Sequence, residues 1–490
     1  MSLTSSMDTA RSSLSVLSER TAVTSRNVAN AQNEYATRKI AQTFAGPGGS
    51  GVRLATLTRA SDDALFQNLT VSNSAAAQYQ AIVQSLDQLN FTVNDVEDNQ
   101  SPAAALGKLA DSLQQAAAAP QEPGLAQNAV FSAIDAATKL NEATATVQQV
   151  RTRADKGIAD AVNNLNTMLG RFEELNRDIV DGTRSNRDVT DLLDSRDKLL
   201  ADMSREIGIR TVTRENNDMV IFTDSGVTMF ETTARPVSFA PSGNFTAGTT
   251  GNAVLVDGVR VTGNASPLPI ASGRIRGLAE VRDEIAVTYQ NQLDEVARGL
   301  ITAFAESDQS AIPALPDATG LFSYSGSPAV PAAGTLIPGL AGQIQVNPAV
   351  DPAQGGDPFL LRDGGINGAA YVYNSSGAAG FSDRLRELQD NFYVPAAFDP
   401  SAQIDASATL VDFASNSVGW LQEMRQNAAS EFEFRSTVYE RSLDTLSNKT
   451  GINLDLEMTL LLELERSYQA TSRLISTIDN MYQSLILATG

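Results

Sequence analysis

The chain contains no cysteine and no histidine. Without thiols it forms neither a disulfide nor a thiolate metal site. Without imidazole it lacks the usual general base and the commonest metal ligand. Positive charge is also scarce: 36 Lys and Arg face 57 Asp and Glu, a net charge of −21. That balance argues against nucleic acid, because little is available to displace counterions from phosphates. It suits a soluble chain whose copies repel one another before they assemble. No run approaches the roughly 20 apolar residues a membrane span needs, so no membrane partner is expected. Met1-Ser2-Leu3-Thr4-Ser5-Ser6 lacks the basic and apolar regions of a cleaved signal peptide.

Motifs for chemistry are missing as well. The glycine run at 46–51 leads into strand-like residues with no Gly-Lys-Ser/Thr, so it is not a P-loop. No Gly-x-Ser-x-Gly elbow occurs. Asp351, Asp357 and Asp363 lack the spacing of a calcium loop. Asp194, Arg196 and Asp197 cluster in sequence, but with no histidine to complete a metal shell they read as ion pairs on a helix. The chain is therefore expected to be no enzyme and to need no cofactor and no metal.

What the sequence does carry is a pair of striped ends. From Leu454, every seventh residue reads Leu461, Tyr468, Ile475 and Tyr482, and a second row reads Leu464, Thr471, Ile478 and Leu485. Two apolar rows in a seven-residue repeat make a narrow helical seam that needs a partner. From Asn453 the helix could run for about 50 Å at 1.5 Å per residue. The opposite end has matching rows: Leu3, Ala10, Leu17 and Thr24, with Met7, Leu14, Thr21 and Val28. The two ends are expected to pair, the alternative being that each packs separately on a globular core. The N-terminal end is crowded with Ser, Thr and Asn, mediocre helix formers that leave an isolated helix marginal. Both ends are therefore expected to become rigid only on assembly, which marks the chain as a subunit. Tyr468 and Tyr482 read as packed seam residues, and Trp420, the only tryptophan, as a bundle core residue.

The chain between the ends divides by composition. A first helical segment reaches the glycine run at 46–51, and 52–57 forms a short strand. Ser61 or Asp62 caps a helix through about Asn99, buried at Leu65, Leu69, Val83, Leu86, Leu89 and Val93. Pro102 opens an alanine-rich helix that Pro120 and Pro123 stop. A long helix then spans about 125–181, with kinks expected at Gly157 or Gly170 and Gly182 as its C-terminal cap. Another opens at Asp188 or Thr190 and ends before Gly208. These make an antiparallel bundle with short loops. From 208 to 272 the period changes to β, with Asp257-Gly258 as a hairpin turn. A helix follows from 274 to 306. The stretch 307–407 is rich in Gly, Pro, Ser and Ala, holds a short helix at 383–391, and reads as a small β-rich insertion or an irregular excursion. Helix returns at 408–447.

Gly451-Ile452-Asn453-Leu454-Asp455-Leu456-Glu457-Met458, then Tyr468-Gln469-Ala470 and Ile475-Ser476-Thr477-Ile478-Asp479-Asn480-Met481, resembles the C-terminal signature of bacterial flagellar rod, hook and hook-associated proteins. Asn27-Val28-Ala29-Asn30, with Tyr35 and Arg38, resembles the N-terminal counterpart; the family's Thr-Pro-Gly-Tyr turn is replaced by Ala31-Gln32-Asn33-Glu34-Tyr35. The segments 192–200 and 273–284 are similar to the bundle-to-β junction and the re-entering helix of the hook-associated proteins at the hook–filament junction. Rod and hook proteins lack both.

The resemblance implies a mainly α fold with β insertions: a discontinuous multidomain axial protein with its terminal helices paired as a coiled coil, a long-helix bundle and an outer β-rich domain. Its parts would be 1–45 with 448–490 as the inner tube, and 46–207 with 273–306 and 408–447 as the bundle. The segment 208–272 would be the β insertion, and 307–407 a further one. The assembly seam would comprise Leu3, Met7, Leu14, Leu17, Val28, Leu454, Leu461, Leu464, Tyr468, Ile475, Ile478, Tyr482 and Leu485. Asn27, Val28, Ala29, Asn30, Asn453, Asp455 and Glu457 carry the family motif. The implied partners are further copies of the chain in a ring, the hook protein, neighbouring junction and filament proteins, and an export chaperone on the C-terminal helix. The implied location is the extracellular flagellum, reached through the type III apparatus without a cleaved signal. The alternatives are a hook or distal-rod protein, or a secreted enzyme or adhesin using 307–407.

Overall fold

The computed structural model describes residues 3–46, 51–93, 101–311, 315–325 and 329–489. The chain is mainly α with small antiparallel sheets, and both ends are helices: α1, Leu3–Asn30, and α11, Leu454–Thr489. The two lie side by side along their length. Ala10, Val16, Leu464 and Ile478 are buried between them and their surroundings, and the Tyr482 hydroxyl donates to Thr4 Oγ1 at 3.0 Å.

The sequence carries the first helix as far as Gly46, but α1 stops at Asn30. Asn33 ends it: its backbone N–H returns to the Asn30 carbonyl at 2.9 Å, and its side-chain oxygen accepts from the Tyr35 N–H at 3.3 Å. This Asx turn stands where the resembling proteins have Pro-Gly, and the Asn side chain supplies the local turn that proline and glycine would otherwise set. The chain then forms a hairpin, β1 (Lys39–Ala45) paired antiparallel with β2 (Val52–Arg59). The hairpin lies back along α1, so closely that a Cβ on Gly51 (φ +95°) would sit on the Ser12 hydroxyl. Residues 47–50 lie outside the described residues, as does 94–99, the end of the helix expected from Ser61.

The body is a bundle of α2 (Asp63–Val93), α3 (Pro102–Ala118), α4 (Pro123–Arg184), α5 (Thr190–Glu206), α6 (Arg274–Glu280), α7 (Ala286–Ala303) and α10 (Leu410–Thr450). Ser101 caps α3, its side chain accepting from the Ala104 N–H at 3.1 Å with Pro102 at the first helical position. Helix α4 runs unbroken through Gly157 and Gly170, because one glycine costs about 1 kcal/mol, less than the packing of a buried stripe returns. Gly182 does not cap it. It is buried inside the last turn against Val189, and the positive-φ residue is Asn186 (φ 52°).

The helix expected over 274–306 is split by a π-helical turn at Val281–Ile285. The buried Arg151 explains the split, because its Nε–H donates at 2.9 Å to the Arg282 carbonyl. A π turn is where helix backbone departs from i→i+4 bonding and can present a carbonyl to such a donor. Arg282 itself is buried against Asp155 at 2.6 Å and Asp283 at 2.7 Å.

Strands β3 (Ile209–Thr213), β4 (Met219–Thr223) and β5 (Thr228–Phe230) form one sheet in that order. Strands β6 (Val237–Ser238), β7 (Leu255–Val256) and β8 (Val259–Arg260) form a second, turning at Asp257-Gly258 with both residues at positive φ, the geometry of a type I′ hairpin. Both sheets share a core with α4, α5 and α6, centred on Phe172, Met229 and Ile221.

The stretch 307–407 is an irregular excursion. It holds the short pairs β9 (Phe322–Tyr324) with β10 (Ile344–Val346) and β11 (Ala396–Ala397) with β12 (Ser407–Ala408), and the helices α8 (Leu360–Asp363) and α9 (Asp383–Asp390). Its Phe322, Leu340, Leu388 and Phe398 enter the same core as α3, α4, α7 and α10, so it is packed on the bundle instead of standing apart. Trp420 is partly buried at the edge of that core. Polar groups on α7 hold the excursion's backbone in place. Asp294 accepts from the N–H groups of Gly339 at 2.7 Å and Ala341 at 2.9 Å, and Glu295 from that of Asp399 at 2.8 Å. Gln292 donates to the Ala402 carbonyl at 2.9 Å.

Candidate assembly site and the joint behind it

The seam residues from the sequence fall into three groups. Leu464 and Ile478 are buried. Leu3, Met7, Leu14, Leu17, Val28, Leu461, Ile475 and Tyr482 are half-buried. Leu454, Tyr468 and Leu485 face outward. Also exposed on α11 are Leu456, Met458, Leu462, Leu474 and Met481 and, at its end, Ile486 and Leu487, the last 83 % exposed. So many large apolar side chains on one helix exceed the scattered exposures ordinary in a monomer.

The motif residues have a different role. Asn453 caps α11: its side-chain oxygen accepts from the N–H groups of Asp455 at 3.0 Å and Leu456 at 3.1 Å. Glu457, one turn further, is 1 % exposed. It accepts from Arg38 Nε at 2.6 Å and Asn27 Nδ2 at 3.1 Å. Asn27 spans the hairpin entry as well, donating to the Lys39 carbonyl and accepting the Lys39 N–H, each at 3.0 Å. A short motif on each terminal helix thus meets across a buried polar knot. Val28 is half-buried, Ala29 and Asp455 are exposed, and Asn30 returns its side chain to the Arg26 carbonyl at 3.1 Å.

The cluster at Asp194, Arg196 and Asp197 completes the knot from the bundle side. Asp194 accepts from the buried ammonium of Lys39, from the Thr37 N–H at 3.0 Å and from the Thr37 hydroxyl at 2.6 Å. Arg59, at the end of β2, bridges Asp194 at 3.1 Å and Asp197 at 2.6 Å. Burial opposes the Arg59 charge, but these carboxylates outweigh it and hold its pKa above the ordinary value. Arg196 faces the other way, toward Asn176 and the Asn217 carbonyl below β4, and burial lowers its pKa to about 10. Arg26 reaches Asp188 at 2.9 Å. Burial of Asp188 works against its charge, yet the Thr190 N–H and hydroxyl and the Arg26 guanidinium keep its pKa below the usual carboxylate range. Sequence reasoning assigned no such role to Thr37, Lys39, Arg59 and Arg26; for the three basic residues the signal is positive charge near the N-terminal end opposite an acidic α5, and Thr37 has none.

Among the described residues there is no group of three potential metal ligands and no helix long and apolar enough to cross a membrane.

A helix pair at the termini, fastened by a polar knot to a long bundle with β insertions, is the architecture expected of a flagellar axial protein. The C-terminal part bears this out: residues 447–487 match the family described as flagellar basal body rod FlgEFG protein C-terminal. The particular family follows from the body, since residues 69–320 match the flagellar hook-associated protein FlgK helical domain. The chain belongs to the FlgK family of flagellar hook-associated proteins and is a structural component of the flagellum, not an enzyme. The flagellar hook-associated protein 1 of Bacillus subtilis (strain 168) is 20 % identical over 522 residues, covering 99 % of this chain and 98 % of that one. The solved flagellar hook junction protein FlgK of Burkholderia pseudomallei aligns with a TM-score of 0.42 and 20 % identity. That alignment covers 53 % of this chain and about half, 47 %, of that one.

Proposed function

We propose that α1 and α11 together are the assembly element, a coiled coil that packs against neighbouring copies in a ring joining hook to filament. The observation that carries this reading is the number of large apolar side chains left exposed on α11, among them Leu454, Met458, Leu462, Leu474 and Met481. Such surface needs a cover, and in a multi-copy axial structure the neighbours supply it. The partners are further copies of the chain, the hook protein and the adjoining junction and filament proteins. The bundle and its β segments form the outer layers.

Before assembly the same surface invites premature association, so an export chaperone covers α11. The chain then travels through the flagellar type III apparatus; the absence of thiols leaves nothing to cross-link on the way. Labelling the protein on purified flagella tests the reading. Label confined to the distal end of the hook supports it, whereas label along the filament, or none, contradicts it.

A further inference from the structure

The terminal layer and the body are joined in an unusual way. Among the described residues, neither apolar core contains a side chain from α1, the hairpin or α11. Fixing falls to polar groups: Glu457 with Arg38 and Asn27, Asp194 with Lys39, Thr37 and Arg59, and Asp188 with Arg26. Three short non-helical crossings carry the chain through this plane, at 31–38, 60–62 and 451–453. They converge on Arg38, whose N–H donates to the Thr450 carbonyl and whose carbonyl accepts the Ala60 N–H, each at 2.8 Å.

The knot also has open space around it. A cavity of about 670 Å³ lies on one side, walled by Phe66 of α2, Leu193 of α5, Val212 of β3 and Leu443 and Leu446 of α10. A second, of about 210 Å³, is bounded by Asn30, Asp191, Lys198 and Ile452. Apolar packing fixes an orientation through interdigitated volume, which these cavities lack, and an interface without a large hydrophobic area leaves relative motion as the default.

We infer that the joint is a polar pivot. The terminal layer tilts as one piece on the bundle about Arg38, and the carboxylates of Asp194 and Glu457 act as its latch. Latched, the pivot holds the orientation described above; released, the crossings bend into the cavities while both apolar cores stay intact. This deepens the proposed function by giving each subunit its own means of fitting a curved and a straight neighbour. The test uses the lone chain, so its outcome is separate from that of the assembly reading.

Because the chain has no cysteine, Asn163→Cys on α4 and Ser476→Cys on α11 place spin labels at two sites alone. Distances measured by pulsed electron resonance are expected to be more narrowly distributed in the otherwise native chain than in one without its latch carboxylates. In Asp194→Asn/Glu457→Gln they broaden and shift, with the thermal melt of the bundle unchanged. A narrow, unshifted distribution in the latch variant overturns the pivot. So does a bundle that melts together with the terminal layer, since that makes the joint part of the core; the single variant Glu457→Gln, with the same readouts, guards against a misfolded double variant.

Discussion

Asp294 shows how one side chain makes stability depend on pH. Burial, with a smaller push from Glu295, raises its pKa from 3.8 to about 6, against the lowering effect of N–H donors from Ala341, Gly339 and Gln290. The folded state therefore holds a proton that the unfolded chain has already released between about pH 4 and pH 6. In that window stability falls as pH rises, by up to about 3 kcal/mol at 1.36 kcal/mol per unit, and it levels off above. Denaturant titrations across pH 4–7 should show this slope, and Asp294→Asn should flatten it. Asn453 makes a second residue-scale prediction. Asn453→Ala removes the cap of α11 and should cost about 1 kcal/mol. Hydrogen exchange at the amides of Asp455 and Leu456 should then quicken about fivefold, at 1.4 kcal/mol per decade. At this scale the sequence was only partly legible. Glu457 and Asn27 stood out through the motif, but their contact lies across 430 positions of chain, and no local pattern pairs them with Arg38 or Lys39.

Among the elements, the helices were readable wherever caps and periodicity agreed, as at Ser101-Pro102. They were misread where tertiary contacts overrule local preference. Of the β1–β2 hairpin the sequence offered only the second strand, at 52–57; β1 and the pairing were missed because the hairpin lies on α1 and shows no clean alternation, most of its residues being half-buried or exposed on both faces. The π turn in the helix after Gly273 depends on a guanidinium from α4, which is invisible in the residues around Val281. The irregular stretch 307–407 has no periodicity to read, because buried side chains on α7 fasten its backbone and no ladder of its own does so. For α11 the central prediction is Leu461→Pro. Proline inside a helix removes one hydrogen bond and clashes with the preceding turn, at about 3 kcal/mol or more. The variant should keep the bundle's melting behaviour but fail to enter flagella, as judged by immunoblot of purified hooks and filaments.

The whole molecule combines a body with its own apolar cores and a terminal layer that leaves large apolar side chains of α11 exposed among the described residues. Fold class and family were legible at this scale because both rest on the ends and on the order of helical and β segments, which sequence records directly. The joint was not, since it is made from side chains brought together by folding. One consequence is uneven stability: α1 and α11, outside both cores, should exchange amide hydrogens faster than the fully buried stripe of α4 in the lone chain. The most direct test of the assembly reading again uses the absence of native thiols. Leu474→Cys and Met481→Cys on the exposed side of α11 should react readily with a maleimide in the free protein and be protected in intact hook–filament junctions. Equal reactivity in both states would contradict the claim that neighbouring subunits cover this helix.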